Sequence, residues 1–272
     1  MSAQMRSAQS SELGMRNAEL TGFRTPNSEL RTLHSADGYS KRWFVHRLFT
    51  ELAPCYDAFN RWVSFGMDVG WRDRAVTESG LSRGMRVLDV CTGTGDLALL
   101  CADRTQGDSL VVGLDFTETM LRGAMQKQRR ISHEVSWLQG DAQTLPFATG
   151  SFDRAFIGFS TRNLSDLKTG VSDMARVLKP GGQLVILETG RPNNRLVRLG
   201  YFCFLFTVAP CIGWMLTGKL WPFTYLARSV KRFLTPQEFV SLIDACGLSA
   251  RYVPLSGGIA SLYLAQKPIQ TS

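Results

Sequence analysis

Histidine is scarce in this chain of 272 residues, which contains only His34, His46 and His133. Three scattered histidines exclude a histidine-based metal cluster and argue against a histidine-centred nucleophilic triad. The six cysteines form no C-x-x-C pair and show no metal-ligand spacing, so we interpret them as reduced core residues in a reducing compartment. We therefore expect no metal ion in the chemistry.

Acidic residues are absent between Thr189 and Gln237, where seven basic residues occur: Arg191, Arg195, Arg198, Lys219, Arg228, Lys231 and Arg232. The 20 residues between Arg198 and Lys219 carry no charge. A run of this length raises the question of a membrane span, but Pro210 and three glycines interrupt it. We predict instead an apolar lid insertion at about 191–232, of one or two helices, that meets a membrane surface. The alternative is a buried helical hairpin with a basic rim.

Apolar periodicity is also missing from residues 1–36, which are rich in Ser, Gln, Asn and Arg. We predict a flexible tail there, followed by a single domain over 37–272. Acids within the tail, such as Glu12 and Glu19, argue against a transit peptide. Helical patterns then run from Ser40 to Leu52 and through Trp71 to Val76, and we expect these helices to cover a bound ligand.

Strands and helices alternate through the rest of the chain. We predict strands near 85–90, 109–114, 134–139, 153–158 and 183–188, helices near 96–103, 117–128, 166–177 and 236–245, and a final hairpin over 249–255 and 260–267. The turn from Lys179 to Gly182, K-P-G-G, should separate the fourth helix from the fifth strand. This order predicts an α/β fold with a seven-stranded sheet, five strands parallel, and helices on both faces.

The stretch from Met85 to Ala98, M-R-V-L-D-V-C-T-G-T-G-D-L-A, joins a buried strand, a glycine turn and a helix, which is typical of a ligand-binding corner. Gly93 and Gly95 allow a ligand to lie against the backbone. Their spacing is not the dinucleotide G-x-G-x-x-G, and Asp89 would repel phosphate but attract a cationic amino-acid tail.

Two further acids follow at predicted strand ends. Asp115 in G-L-D-F suits a ribose diol, because a carboxylate accepts two hydroxyl protons. Asp141 in L-Q-G-D-A suits an adenine amino group. Three acids without a phosphate cradle indicate S-adenosylmethionine, and the alternative is an α/β domain whose acids only cap helices.

The net charge of +8 and the pI of about 9.4 fit nucleic acid or an anionic membrane. Methylation of a nucleic-acid base is disfavoured, because the chain has no Asn/Asp-Pro-Pro-aromatic motif. Its basic residues also flank an apolar run instead of alternating with aromatic residues. We predict no nucleic-acid partner.

From about Phe49 to Lys267 the chain resembles the UbiE-type ubiquinone/menaquinone C-methyltransferases. The matching stretches are A-P-C-Y-D-A-F-N, S-F-G-M-D-V-G-W-R, L-D-V-C-T-G-T-G-D-L-A, G-L-D-F-T-E-T-M-L, G-D-A-Q-T-L-P-F, R-N-L-S-D, R-V-L-K-P-G-G and T-Y-L-A-R-S-V-K-R-F. The resemblance implies the Rossmann-like fold of class I methyltransferases and S-adenosylmethionine as methyl donor. It implies ring C-methylation of a prenylated benzoquinol or naphthoquinol in quinone biosynthesis.

The strand-end reasoning and the resemblance together give one set of cofactor-binding candidates: Asp89, Gly93, Thr94, Gly95, Asp115, Phe116, Met120, Asp141, Ala142 and Gly158. The resemblance also implies that Tyr56 and Asp57 belong to a lid near the methyl donor. A ring carbon becomes nucleophilic when an adjacent hydroxyl loses its proton, and Arg162 is the main candidate to favour that phenolate. Asn163 would hold the ring oxygen or support Arg162.

Other readings of the catalytic residues stay open. Asp57 and Glu188 are weaker candidates for the base, and the alternative for Arg162 is an ion pair with an acid at a strand end. The chain departs from the family's pattern at Phe159-Ser160-Thr161, where the family usually has Phe-Gly, and at Glu188-Thr189-Gly190, where it has Glu-Phe-Ser. It also departs at Arg228-Ser229, where the family has Glu-Ser, and at Tyr263, where it has His. These departures lie on the substrate side, so they imply a divergent member whose quinol head group is left open.

Two rival functions keep the same cofactor site. One is methyl transfer to another lipid or phenol, and the other is a non-catalytic S-adenosylmethionine-binding subunit of a quinone-synthesis complex. The predicted partners are a lipophilic quinol, the membrane surface, and either other quinone-biosynthesis enzymes or a second copy of the chain. We expect a cytoplasmic, peripherally membrane-associated protein, or an organellar one in a eukaryote.

Overall fold

The computed structural model describes residues 41–269, so the predicted tail at 1–36 lies outside the described residues. The helices are α1 (Lys41–Leu52), α2 (Tyr56–Val63), α3 (Met67–Glu78), α4 (Asp96–Arg104), α5 (Glu118–Gln128), α6 (Leu167–Val177), α7 (Arg195–Phe206), α8 (Val208–Thr217), α9 (Trp221–Arg232) and α10 (Pro236–Asp244). The strands are β1 (Arg86–Val90), β2 (Leu110–Asp115), β3 (Ser136–Gln139), β4 (Phe152–Gly158), β5 (Leu178–Thr189), β6 (Ser249–Leu255) and β7 (Ala260–Gln266).

These seven strands form one sheet in the order β3-β2-β1-β4-β5-β7-β6. Neighbours among β1 to β5 pair in parallel, whereas β7 pairs antiparallel with both β5 and β6. The predicted α/β fold and closing hairpin are therefore confirmed. The five predicted parallel strands are β1 to β5, and β6 runs in the same direction but pairs only with the antiparallel β7. The chain reverses its strand order between β1 and β4, and ligands bind beyond the carboxyl ends of strands at such a point.

Side chains along the central strands point alternately into two separate hydrophobic cores, one on each face of the sheet. Leu88 and the residues that pair with it on β2 and β4 pack with α6 and α10 on one face of the sheet. Val87 and Val111 pack with α3 and α4 on the other face. Both faces of the sheet are covered, so these strands are apolar almost throughout, as parallel strands between two helical layers are.

The K-P-G-G segment differs from its prediction as a turn before β5. It lies inside β5, where the register with β4 jumps from the pair Phe152–Leu178 to the pair Arg154–Gln183. Three extra residues on β5 are therefore accommodated as a bulge, and Gly181 takes the positive φ (+74°) that this requires.

The insertion between β5 and β6 contains three helices, α7, α8 and α9, rather than the predicted one or two. The chain bends at Thr207, between α7 and α8, three residues before Pro210, which cannot donate the hydrogen bond that would continue a regular helix. Together α7 and α8 form a stretch, Arg195–Thr217, that is long and apolar enough to cross a membrane by length and composition. In the structure α8 packs against α2, and α9 packs against both α7 and α8.

Candidate active site

The glycine turn after β1 is held by backbone geometry that few residues other than glycine adopt. Gly93 and Gly95 have φ values of +57° and +85°, and the Thr92 N–H donates to the Leu114 carbonyl across to β2 at 2.9 Å. A Cβ on Gly95 would lie 2.6 Å from the Trp137 ring, so the second glycine also permits close packing against β3.

Asp89, near the end of β1, stabilises this turn through hydrogen bonds. Its Oδ2 accepts hydrogen bonds from the Thr92 hydroxyl at 2.6 Å and the Ala98 N–H at 3.1 Å, while Oδ1 has no partner among the described residues. Burial raises the pKa of Asp89 to about 7, partly offset by these two donors. A buried carboxylate with one free oxygen can receive a cationic group directly or through water.

Asp115 ends β2 beside the glycine turn. One of its oxygens accepts the Gly93 N–H at 2.8 Å, and the other accepts the Thr117 N–H at 2.7 Å. Each carboxylate oxygen has a second lone pair, so Asp115 can still accept two hydroxyl protons. Burial raises its pKa to about 6.

Asp141 follows β3, and its position is shared with a side chain that the sequence did not suggest. Its Oδ2 lies 2.8 Å from the Arg42 guanidinium of α1, and that guanidinium stands 4.7 Å from the centroid of the Phe116 ring. Arg42 thus contacts two of the predicted cofactor-binding residues, Asp141 and Phe116.

These carboxyl ends enclose a strand-end cavity of about 680 Å³. Six of the predicted cofactor residues line it: Gly93, Asp115, Phe116, Met120, Asp141 and Ala142. Sequence reasoning missed Arg42, Phe49 and Cys91, which also line it. Cys91 was inside the quoted glycine motif, whereas Arg42 and Phe49 are brought over the cavity only by the packing of α1.

The other four predicted cofactor residues, Asp89, Thr94, Gly95 and Gly158, do not line the cavity. A Cβ on Gly158 would lie 2.8 Å from Leu97, so this glycine admits α4 against β4. The Thr94 hydroxyl donates to Asp57 at 2.6 Å and accepts from Lys127 at 2.9 Å.

A second cavity, the apolar chamber, has about 950 Å³ and lies between α1, α2 and the insertion. Its apolar walls include Leu48, Phe59, Phe204, Leu205, Phe223 and Ile259. Its polar lining includes Asn60, Arg72, Arg162 and Tyr201. The chamber and the strand-end cavity share three lining residues, Phe49, Tyr56 and Asn163, so the two spaces adjoin.

Tyr56 and Asn163 stand at this shared wall. Burial raises the pKa of the Tyr56 hydroxyl, and a Cβ on Gly93 would lie 3.8 Å from the Tyr56 ring. The Asn163 side-chain oxygen accepts the Tyr225 hydroxyl at 3.2 Å, while its amide nitrogen is buried without a partner among the described residues. Asn163 therefore presents an unused donor at the junction.

Arg162 lines the apolar chamber and makes the ion pair with a strand-end acid that the sequence left as an alternative. Its Nη1 bonds to Glu188 and to the Phe159 carbonyl at 2.6 Å, and its Nε is buried without a partner in the described part of the chain. Glu188 is wholly buried and also accepts the Thr161 hydroxyl at 2.6 Å. The carboxylate thus fixes the guanidinium while its Nε stays without a partner among the described residues.

Asp57 lines neither cavity, unlike the other three predicted catalytic residues. Its carboxylate pairs with Lys127 of α5 at 2.6 Å, and the same ammonium contacts Asp96. Asp57 therefore ties α2 to the start of α4. Arg72, which the sequence did not suggest, lies buried in the chamber wall against Asp68 at 2.6 Å.

Within residues 41–269, no group of three or more His, Cys, Asp and Glu residues is arranged to hold a metal ion.

The sheet order and the strand-end cavity define a class I S-adenosylmethionine-dependent methyltransferase fold. A solved "SAM dependent methyltransferase from Aquifex aeolicus" aligns with a TM-score of 0.54 and 19% identity, over 72% of this chain and 88% of that one. The "[4+2]-Cyclase SpnF" aligns with a TM-score of 0.62 and 18% identity, over 85% and 96%. At such identities the likeness concerns the fold alone.

The chain belongs to the ubiE/COQ5 methyltransferase family, whose sequence model matches residues 36–267. A demethylmenaquinone methyltransferase of Thermus thermophilus is 39% identical over 221 residues, covering 81% of this chain and 100% of that protein. A "Ubiquinone/menaquinone biosynthesis C-methyltransferase UbiE" of Geotalea uraniireducens is 36% identical, covering 82% and 96%. The predicted family and enzyme class are confirmed, and S-adenosylmethionine is the methyl donor of this family and fold.

Proposed function

We propose that this chain methylates a ring carbon of a prenylated quinol in quinone biosynthesis, with the cofactor in the strand-end cavity and the quinol in the apolar chamber. The observation that carries the proposal is the wall that the two cavities share at Phe49, Tyr56 and Asn163. The apolar walls of the chamber suit a lipid, and its contact with the cofactor cavity brings the reacting atoms together. The relatives named for demethylmenaquinone and ubiquinone/menaquinone methylation support the same substrate class.

The residues of the strand-end cavity fit S-adenosylmethionine. Asp115 would accept the ribose hydroxyls, Asp141 the adenine amino group, and Phe116 with Met120 would pack on the adenine. Asp89 would receive the amino group of the methionine tail, through its unpartnered oxygen or a water molecule. When bound, this cofactor supplies a methyl group from a positively charged sulfur.

The chain's part in the reaction is to hold the quinol and favour its phenolate. The unpartnered Nε of Arg162 and amide nitrogen of Asn163 are two donors that a quinol oxygen can satisfy. A fixed guanidinium beside that oxygen lowers the pKa of the phenol and can orient a water molecule that takes its proton. The phenolate makes the neighbouring ring carbon nucleophilic, and that carbon releases its own proton after methylation.

The decisive experiment is turnover by the purified chain with labelled S-adenosylmethionine and reduced demethyl-benzoquinol, demethyl-naphthoquinol and one other prenylated phenol. We expect label on a ring carbon, located by mass spectrometry and NMR. Arg162→Lys should keep the charge but lose Nε, and activity should fall about a hundredfold with cofactor binding unchanged. Arg154→Lys, at the opposite end of β4, is the matched control. Label on oxygen, or no transfer to any quinol, would contradict the proposal.

The insertion supports a membrane-facing position for this enzyme. Leu196, Leu199 and Met215 are 80%, 64% and 66% exposed on α7 and α8, next to the basic residues Arg195 and Arg198. Such a surface suits the interface of an anionic bilayer, from which the quinol would enter the chamber.

Co-sedimentation with vesicles tests this position. Leu199→Ser combined with Met215→Ser should weaken binding, whereas Val69→Ser on α3 should leave it unchanged. If light scattering shows instead that the double variant turns a dimer into a monomer, the surface is a contact between two copies of the chain.

A further inference from the structure

A third cavity, which the proposed reaction does not use, runs along one side of α9. One complete stripe of that helix lines it: Trp221, Thr224, Tyr225, Arg228, Ser229 and Arg232. These residues follow the i, i+3, i+4, i+7 spacing of a single helix face. The opposite wall comes from the start of α1 and from α6 and α10. We call this open space, of about 1540 Å³, the α9 groove.

The α9 groove is strongly cationic. Lys41, Arg162, Arg228 and Arg232 line it, and no acidic side chain does so among the described residues. Lys41 and Arg162 are engaged with backbone carbonyls and Glu188, respectively. Arg228 and Arg232 are exposed and make no ion pair with any residue in 41–269.

This arrangement differs from that of α1, α3 and α5. Arginines on α1, α3 and α5 pair with glutamates four residues away: Arg47 with Glu51, Arg74 with Glu78, and Arg122 with Glu118. On α9 the residue one turn from Arg228 is a second arginine, and two like charges at this spacing destabilise a helix. An anion bound between them would remove that repulsion.

The residues that line the groove indicate which kind of anion it can bind. Beside the arginines stand apolar side chains, including Trp221, Phe233, Leu234 and Leu242. A guanidinium pair binds a phosphate with several charge-assisted hydrogen bonds, and the apolar wall would cover hydrocarbon. A free phosphate would use only the guanidinium pair, and a neutral lipid would use only the apolar wall.

We propose that the α9 groove binds an anionic phospholipid, with its phosphate between Arg228 and Arg232 and the start of its acyl chains along Trp221 and Phe233. This site is a separate cavity, which adjoins the strand-end cavity at Leu164. It meets the apolar chamber only at Arg162, Tyr225 and Ser229, which line both. The proposal does not depend on methyl transfer.

The test uses the full chain and dihexanoyl phosphatidylglycerol, kept below the concentration at which it forms micelles. Binding is followed by titration calorimetry, and its place by hydrogen–deuterium exchange of α9. We expect saturable binding, with protection of the peptides that cover Trp221–Arg232. Arg228→Gln combined with Arg232→Gln should weaken binding about tenfold or more.

Arg129→Gln combined with Arg130→Gln is the matched control, since it removes the same charge from two exposed arginines at the end of α5. It should change the affinity less than about twofold, because charges beyond a Debye length are screened. Equal weakening by both double variants would overturn the proposal in favour of general charge attraction. Equal binding of dihexanoyl phosphatidylcholine, or of glycerol phosphate, would overturn it in favour of a lipid site without charge selection or a soluble-phosphate site.

Discussion

The Tyr225 hydroxyl donates a hydrogen bond to the side-chain oxygen of Asn163 at 3.2 Å, which joins the insertion to the turn after β4. This bond fixes the Asn163 amide, whose nitrogen has no partner among the described residues and can donate at the junction of the two cavities. Tyr225 lay in a stretch, T-Y-L-A-R-S, that marked the family resemblance without suggesting a role. The structure identifies it as a residue that positions Asn163.

Tyr225→Phe should therefore lower kcat about fivefold to tenfold by removing one hydrogen bond, while cofactor affinity and the melting temperature change little. The measurement is kcat with quinol together with the Kd for S-adenosylmethionine. Tyr252→Phe is the control, because it deletes a phenol oxygen that has no partner among residues 41–269. An unchanged kcat in Tyr225→Phe would show that Asn163 needs no such support.

The alternating pattern of strands and helices predicted most of the fold, because each central strand is buried on both faces and each helix has one apolar stripe. Predicted and observed limits agree within about two residues for β1 and α6, for example. The exception is β5, where the K-P-G-G segment read as a turn. A bulge inside a strand has the same local sequence as a turn, and only pairing with β4 distinguishes them.

The lining of the candidate site could be predicted where strand ends form it, and less so where packing between distant segments forms it. Asp115 and Asp141 were found because parallel strands bring their carboxyl ends to one edge. Arg72 and Arg42 were missed, because nothing in their local sequence shows which cavity a helix will cover. The predicted number of helices in the insertion was wrong for a similar reason. An uncharged run contains no charged residues that would indicate where one helix ends and the next begins.

Arg42 and adenine are expected to compete for the same contacts. The guanidinium pairs with Asp141 and lies over Phe116, and both contacts must be given up if adenine takes them. A partly exposed ion pair of this kind contributes at most about 1 kcal/mol. Arg42→Ala should therefore tighten S-adenosylmethionine binding up to about fivefold, as measured by calorimetry.

Arg47→Ala, on the same helix but lining neither cavity, should leave that affinity unchanged. Weaker binding by Arg42→Ala would mean that the guanidinium stays and clamps the bound cofactor.

Two glycines of the insertion should respond in opposite directions to alanine. Gly213 on α8 faces α9, and a Cβ there would lie 2.1 Å from the buried Phe223 ring. Gly213→Ala should lower the free energy of unfolding by about 1–3 kcal/mol through overpacking. Gly200 on α7 has nothing within 4 Å of an added Cβ, so Gly200→Ala should raise it by about 0.5–1 kcal/mol. Urea unfolding measures both, and similar effects of the two changes would contradict this account of how α8 meets α9.

The two buried carboxyls at the strand ends should give cofactor affinity and fold stability opposite dependences on pH. Burial raises the pKa of Asp115 to about 6 and that of Asp89 to about 7, above the value of about 3.9 expected in the unfolded chain. Between about pH 4 and 7 the folded protein thus holds more protons than the unfolded one. The contribution of these groups to stability is present at low pH and is lost as the pH rises through 6 and 7.

Cofactor affinity should instead increase as the pH rises, since only the ionised carboxylate of Asp115 accepts both ribose hydroxyls. We expect affinity to level off only near pH 8, where both carboxyls are ionised, and to fall as the pH drops through 7 and 6, while the cofactor-free protein gains stability over the same interval. Calorimetry and urea unfolding at pH 5, 6, 7 and 8 measure the two trends. Asp115→Asn should weaken binding and flatten both curves near pH 6, whereas Asp108→Asn, at an exposed carboxylate, should flatten neither. If cofactor affinity and stability both fell on acidification, the pH dependence of these two properties would not come from the raised pKa values of Asp89 and Asp115.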